Sequence, residues 1–212
     1  MGKHKKKGSG KGSGVMRRSD VPYAQRLRAQ QMANINAIRD KTAMVTMLSH
    51  AVALHELEGI GYKRLVRHTL VFRELIEEFY ADMDVGMNHA QRRLASHGIP
   101  VPEDVPRVLM PELSPRDQQL YDHAIHASYV AHLVGLIADN ETFGYGKEKL
   151  ERISIRVAEL TDRYNEEGEG FLLEEMQKIG FPLVDGRVVG CLDENNEPIT
   201  YKRYLEGQHH EL

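Results

Sequence analysis

Two short glycine turns carry the residue types in this chain best suited to anion chemistry. Gly59-Ile60-Gly61 runs into Tyr62-Lys63-Arg64-Leu65, and Gly144-Tyr145-Gly146 runs into Lys147-Glu148-Lys149-Leu150. Glycine lets the backbone approach a ligand closely, and a helix that follows offers unpaired N–H groups in its first turn. Gly59, Gly61, Lys63 and Arg64, with Gly144, Gly146, Lys147 and Lys149, are therefore candidate phosphate ligands of a nucleotide-sequestering protein. A structural reading competes, because a glycine pair also suits a tight connection between helices. The pattern lacks the Lys-Ser/Thr of a P-loop and the preceding strand of a dinucleotide fold.

The other reactive side chains give no site. There are 11 histidines; His123 and His126 share a helix face, while His50 and His55 fall on an apolar helix. Neither His-Glu-x-x-His nor a Glu-x-x-His pair in both halves is present, so no metal centre is expected. Glu74, Glu77, Glu78, Asp82 and Asp84 resemble in composition the Mg²⁺-binding helices of all-α nucleotide pyrophosphatases, which opens a third reading as a metal-dependent nucleotide hydrolase. The second half keeps only Glu159 and Asp162 in comparable places, and a solvated acidic face explains them equally. Cys191 stands alone in an expected strand. No nucleophile–base pair emerges, so neither a catalytic residue nor a cofactor is expected.

Charge supplies the second lead. The 212 residues carry 28 Lys and Arg against 31 Asp and Glu, a net −3. Lys3, Lys5, Lys6, Lys7, Lys11, Arg17 and Arg18 lie in residues 1–18 without an acid, leaving a balance of −10 on the remaining 194 residues. Such an arm, continued by Arg26 and Arg28, would hold nucleic acid through counterion release, without sequence preference and with strong salt dependence. There is no Trp and no aromatic interleaving for base stacking. The alternative is a solubilising tail or an appended leader, since GSGKGSG has the composition of a flexible linker. The longest apolar run, Leu133 to Ala138, is far shorter than the roughly 18–20 residues of a membrane span. No secretory segment follows the lysines, and a reducing, intracellular setting fits the single cysteine.

These residues must be positioned by helices. From Tyr23 to about Leu57 there is neither Pro nor Gly, which reads as one long helix or two broken near Asp40-Lys41-Thr42. Ser19 and Asp20 are its candidate caps, and Leu27, Met32, Ile35 and Ile38 its thin apolar stripe. A helix over 62–80 places Leu65, Thr69, Phe72, Leu75, Ile76 and Phe79 on one face. Asp84 to Gly86 should break the chain before a helix over 88–96, which Gly98 ends. Pro100, Pro102, Pro106 and Pro111 mark an extended linker. Ser114-Pro115-Arg116-Asp117 restarts helix to about Asp139; further helices cover 147–165 and 171–179. Residues 181–184, 187–192 and 199–204 read as strands of a small meander, with Asp185-Gly186 as a hairpin turn. The organisation is thus a basic tail (1–18), a first helical module (19–99), a linker (100–114), a second module (115–181) and a β meander with tail (182–212).

The halves repeat. An offset of 85 residues lays 44–80 on 129–165 without a gap, with identities at Val45/Val130, Leu48/Leu133, Ala53/Ala138, Glu56/Glu141, Gly59/Gly144, Gly61/Gly146, Leu65/Leu150, Arg67/Arg152, Glu74/Glu159 and Leu75/Leu160. Each module closes on Gly-[Ile/Phe]-Pro, at 98–100 and 180–182. The fold expected is mainly α: a duplicated helical-hairpin module forming a pseudo-symmetric bundle, with a small C-terminal β meander. Arg67/Glu74 and Arg152/Glu159 are expected to form salt bridges across the modules. The repeat unit, with its apolar helix and Gly-x-Gly-[Lys/Tyr]-x-[Lys/Arg]-Leu motif, resembles uncharacterised small helical proteins of phages of Gram-positive bacteria. That resemblance covers about 40 residues per module and implies a phage origin without an assigned activity. Together these features point to a non-catalytic accessory or host-interaction protein inside the infected cell or in the virion. Its partners would be a protein or a second copy, with nucleic acid held by the arm; nucleotide sequestration at the turns is the runner-up.

Overall fold

The computed structural model describes residues 23–99, 101, 112–184 and 187–188. The basic tail, most of the proline linker, the turn at 185–186, and everything from 189 onward, including Cys191 and the third expected strand, lie outside the described residues.

The described chain is mainly helical. α1 (Tyr23–Glu58) runs unbroken through Asp40-Lys41-Thr42, where no Pro or Gly interrupts its hydrogen bonding. α2 (Tyr62–Ala81), α3 (Met83–Ser96), α4 (Pro115–Phe143), α5 (Lys147–Glu167) and α6 (Glu169–Ile179) follow. β1 (Leu183–Val184) and β2 (Arg187–Val188) pair antiparallel, Leu183 opposite Val188. Among the described residues, those from Ile35 onward form one compact unit, while those up to Asn34 belong to another.

Local chemistry accounts for the helix ends. Ser114 Oγ accepts from the Asp117 N–H at 3.2 Å, and Pro115 occupies the first helical position of α4. α4 runs four residues beyond the expected stop because Gly144, at φ +69°, supplies the left-handed turn that ends it. α3 starts five residues earlier than the sequence suggests. Asp82 caps it by accepting from the Val85 N–H, and Gly86 lies inside the helix. That glycine is a contact residue: a Cβ there would sit 2.3 Å from the Phe79 carbonyl oxygen.

α3 and α6 end alike. The Gly98 N–H donates to Ala95 and the Ile99 N–H to Leu94; the Gly180 N–H donates to Gln177 and the Phe181 N–H to Met176. Each glycine has positive φ, and each following residue is buried against the helix it terminates. The Gly-[Ile/Phe]-Pro signature is therefore a helix stop with a hydrophobic seal.

The core joins both halves. Leu48, Leu54, Leu65 and Phe72 from α1 and α2 are sealed together with Leu133, Ile137, Leu150, Ile153 and Leu160 from α4 and α5. α4 packs against both α2 and α3. No described helix is long and apolar enough to cross a membrane.

Candidate functional site

The two glycine turns meet at one end of the bundle. The Arg64 guanidinium lies 5.0 Å from the centre of the Phe143 ring, and Lys149 Nζ is 2.5 Å from Glu58 Oε2. Much of their hydrogen bonding repeats at the 85-residue offset. Gly59 N–H donates to His55 and Gly144 N–H to Asn140; Leu65 N–H donates to Gly61 and Leu150 N–H to Gly146. His55 Nδ1 bonds the Ile60 carbonyl at 3.0 Å, as Asn140 Nδ2 bonds that of Tyr145 at 2.8 Å. Gly59 and Gly144 hold positive φ, whereas Gly61 and Gly146 are extended residues preceding α2 and α5. One glycine of each pair stops a helix and the other starts the next.

The cations at these turns already have partners. Glu58, with its side chain 10% exposed, receives Lys149 and also Arg152 at 3.6 Å. Lys149 lies 4.4 Å from the centre of the Tyr145 ring, and Lys147 pairs with Glu151 at 3.7 Å. Lys63 is engaged as well. A phosphate at the α5 N-terminus would have to displace Glu58 from Lys149, and Glu148 and Glu151 would oppose it. The cross-module bridging expected of Arg152 and Glu159 takes another form: Arg152 reaches Glu58 of α1, while Glu159 accepts from Arg156 within α5, which also forks onto Glu56. Cross-module pairing is present, made by different partners because α5 faces the end of α1. Glu74, Glu77 and Glu78 lie on the exposed side of α2.

Beneath the turns lies a polar cluster that the sequence did not announce. His50 Nδ1 is 2.8 Å from Asp139 Oδ2, and His68 Nε2 is 2.7 Å from Asp139 Oδ1; all three side chains have no solvent exposure. An ionised carboxylate only accepts, so His50 Nδ1 carries the proton of its hydrogen bond, while His68 Nε2 stands at ion-pair distance from the other oxygen without hydrogen-bond geometry. Burial alone would raise the Asp139 carboxyl, but His50 and His68 outweigh it and hold it down at about 2. The residues come from α1, α2 and α4, so one carboxylate ties three helices. His68 stacks on Phe143, ring centres 5.8 Å apart, which links the cluster to the turns above. Both carboxylate oxygens face imidazole nitrogens directly, leaving no gap for an ion. His50 has its own accommodation in α4: its ring occupies the space that a side chain at Gly135 would fill.

A second polar pair adjoins it. His132 Nε2 and Ser154 Oγ are 2.8 Å apart, and the His132 ring lies 5.4 Å from that of His50. Both residues line a cavity between α1, α4 and α5. This is the spacing of a nucleophile and its base. The nearest carboxylate of the cluster is spent on His50 and His68, so nothing there orients His132 as the acid of a triad does. Burial, reinforced by His50, pushes His132 down to about 3.

That shift has a measurable consequence. His132 stays neutral in the folded protein, while the unfolded chain takes up a proton near its ordinary 6.5. Stability is therefore full above pH 6.5 and declines as the pH falls towards 3, by up to about 1.4 kcal/mol per unit. Urea unfolding at about pH 7 and about pH 5 should differ by up to about 2 kcal/mol, and His132→Gln should shrink that difference. An undiminished difference in the variant would assign the acid limb to another group.

The proposed nucleic-acid residues Lys3, Lys5, Lys6, Lys7, Lys11, Arg17 and Arg18 lie outside the described residues, and Arg26 and Arg28 fall within α1. Sequence reasoning missed His68, His132, Asp139 and Ser154. The signal available was that all four fall on the apolar faces of amphipathic or buried helices. Comparison with protein families, curated proteins and solved structures finds no match.

Proposed function

We propose that this protein is a non-catalytic accessory or host-interaction protein of phage origin, a doubled helical scaffold that carries a cationic arm for nucleic acid. The observation that carries the reading is the division of charge, seven cations in residues 1–18 against −10 on the rest. The scaffold fits it, since several of its own cations are already paired with acids. Arg93 pairs with Glu141, Lys149 and Arg152 with Glu58, Arg156 with Glu56, Arg163 with Glu167 and Lys178 with Glu175. The resemblance of the Gly144–Leu150 motif to phage proteins supports the origin, and an intracellular site of action goes with it. The buried cluster fits a scaffold role: a shared carboxylate fixes how the modules pair instead of turning over a substrate.

The arm should bind duplex DNA or RNA without sequence preference. Each phosphate contact contributes about −0.9 to the slope of log K against log salt, so the seven cations of residues 1–18 with Arg26 and Arg28 limit the slope to about −8. Fluorescence anisotropy across a salt series should give a slope within that limit, and deletion of residues 1–18 should abolish binding. Binding that survives the deletion unchanged would remove this reading.

A further inference from the structure

The two modules differ in how one space between helices is filled. The 85-residue offset puts His132 at the position of Met47, Val157 at Phe72 and Thr161 at Ile76. In the first module Phe72 is 1% exposed and Ile76 8%, and both belong to the core. In the second, Val157 is also in the core, but it and Thr161 are smaller and border a cavity of about 320 Å³ that opens to solvent. Protein interiors leave few voids larger than a water molecule, and a lined space of this size falls in the range of small-molecule sites. The same chain thus contains both a filled and an open version of one packing arrangement. The open version also exchanges methionine for histidine and isoleucine for threonine, changes that bring polar groups to the wall.

We infer that the cavity between α1, α4 and α5 binds a small nitrogenous organic molecule, neutral or cationic, with an apolar body. Ile125 and Val157 give it an apolar wall. Ser128 and the His132–Ser154 pair supply hydrogen-bonding groups within it, and the exposed Asp162 carboxylate stands at its rim. Among the described residues that line it there is no lysine or arginine, so a phosphate or carboxylate finds no counter-charge. An amine, amidine or ring N–H finds acceptors at Asp162, Ser128 and Ser154. The site is separate from the glycine turns and independent of the arm, and its chemistry is opposite in sign to that of a nucleotide-phosphate site.

The test is a titration of the full chain with adenine, benzamidine and inorganic phosphate, followed through the histidine side-chain resonances in ¹H–¹⁵N spectra. Saturable shifts at His132 are expected with adenine or benzamidine at millimolar concentration, and none with phosphate. Val157→Phe combined with Thr161→Ile rebuilds the aromatic and aliphatic filling of the first module; it should keep the fold and lose the shifts. Should that variant fail to fold, Ala158→Leu, which adds bulk at the exposed rim, serves the same purpose and should weaken binding at least tenfold. The inference is overturned if neither nitrogenous probe moves His132, if phosphate moves it, or if binding persists in the filled variant.

Discussion

Asp139→Asn is expected to lower stability by about 3–5 kcal/mol, the range for breaking a buried ion pair from one side. In a chain of this size that corresponds to a fall in Tm of roughly 10 °C or more. The amide keeps the shape of the carboxylate but replaces one acceptor with a donor. His50 Nδ1 donates to one oxygen at 2.8 Å and His68 Nε2 stands 2.7 Å from the other, so whichever way the amide turns, its NH₂ is set against a buried ring nitrogen. The wild-type contribution has its own pH signature. The carboxyl is held at about 2 against an ordinary 3.8. Its stabilisation is complete above about pH 4 and disappears as the pH falls through 2. The variant should lose this lowest part of the acid unfolding curve and keep the part that His132 governs. Urea unfolding at neutral pH decides the matter, and a loss below about 1 kcal/mol, the scale of a surface pair, would show that the cluster does not hold the helices together.

The second large effect has an inverted sign. Gly→Ala inside a helix ordinarily stabilises by about 0.5–1 kcal/mol. At Gly135 a Cβ would stand 2.2–2.6 Å from three atoms of the His50 ring, and the ring is fixed by its bond to Asp139. Gly135→Ala should therefore destabilise by about 1–3 kcal/mol or more, the cost of overpacking a filled core. The cause can be isolated. In a His50→Ala background the same change should become neutral or stabilising, so the two substitutions couple strongly in a double-mutant cycle. Additive effects would mean that the ring and the glycine do not oppose one another.

Much of the scaffold was legible because its punctuation is local. Gly59, Gly144, Gly98, Gly180, Ser114 and Pro115 act on their own neighbours, and each stops or starts a helix where those residue types suggest. Gly86 misled for a tertiary reason: it reads as a breaker, yet its missing side chain admits the Phe79 carbonyl, a contact that local propensity does not encode. The buried cluster is the harder case. His50 and Asp139 stand 89 residues apart, and nothing in the chain near either one indicates the other as its partner. The position of His68 on the buried face of α2 was readable from its spacing with Leu65 and Phe72. Its companion was not, because pairing across three helices depends on how α4 docks. The cavity hides for a similar reason, since only comparison of the packed halves shows Val157 and Thr161 to be small for their place.

His50 and Gly135 stand at equivalent positions of the 85-residue offset, and the ring of one fills the space left by the other. Two copies of the first module would set a histidine against a histidine where only a glycine leaves room. Two copies of the second would bury Asp139 with Gly135 and Ile153 in place of His50 and His68, an uncompensated charge in a sealed interior. Each half is thus a poor partner for itself and a good one for the other. The sequence repeat is least alike where the helices meet: a ring on one side faces a missing side chain on the other, and the carboxylate of α4 draws both its partners from α1 and α2.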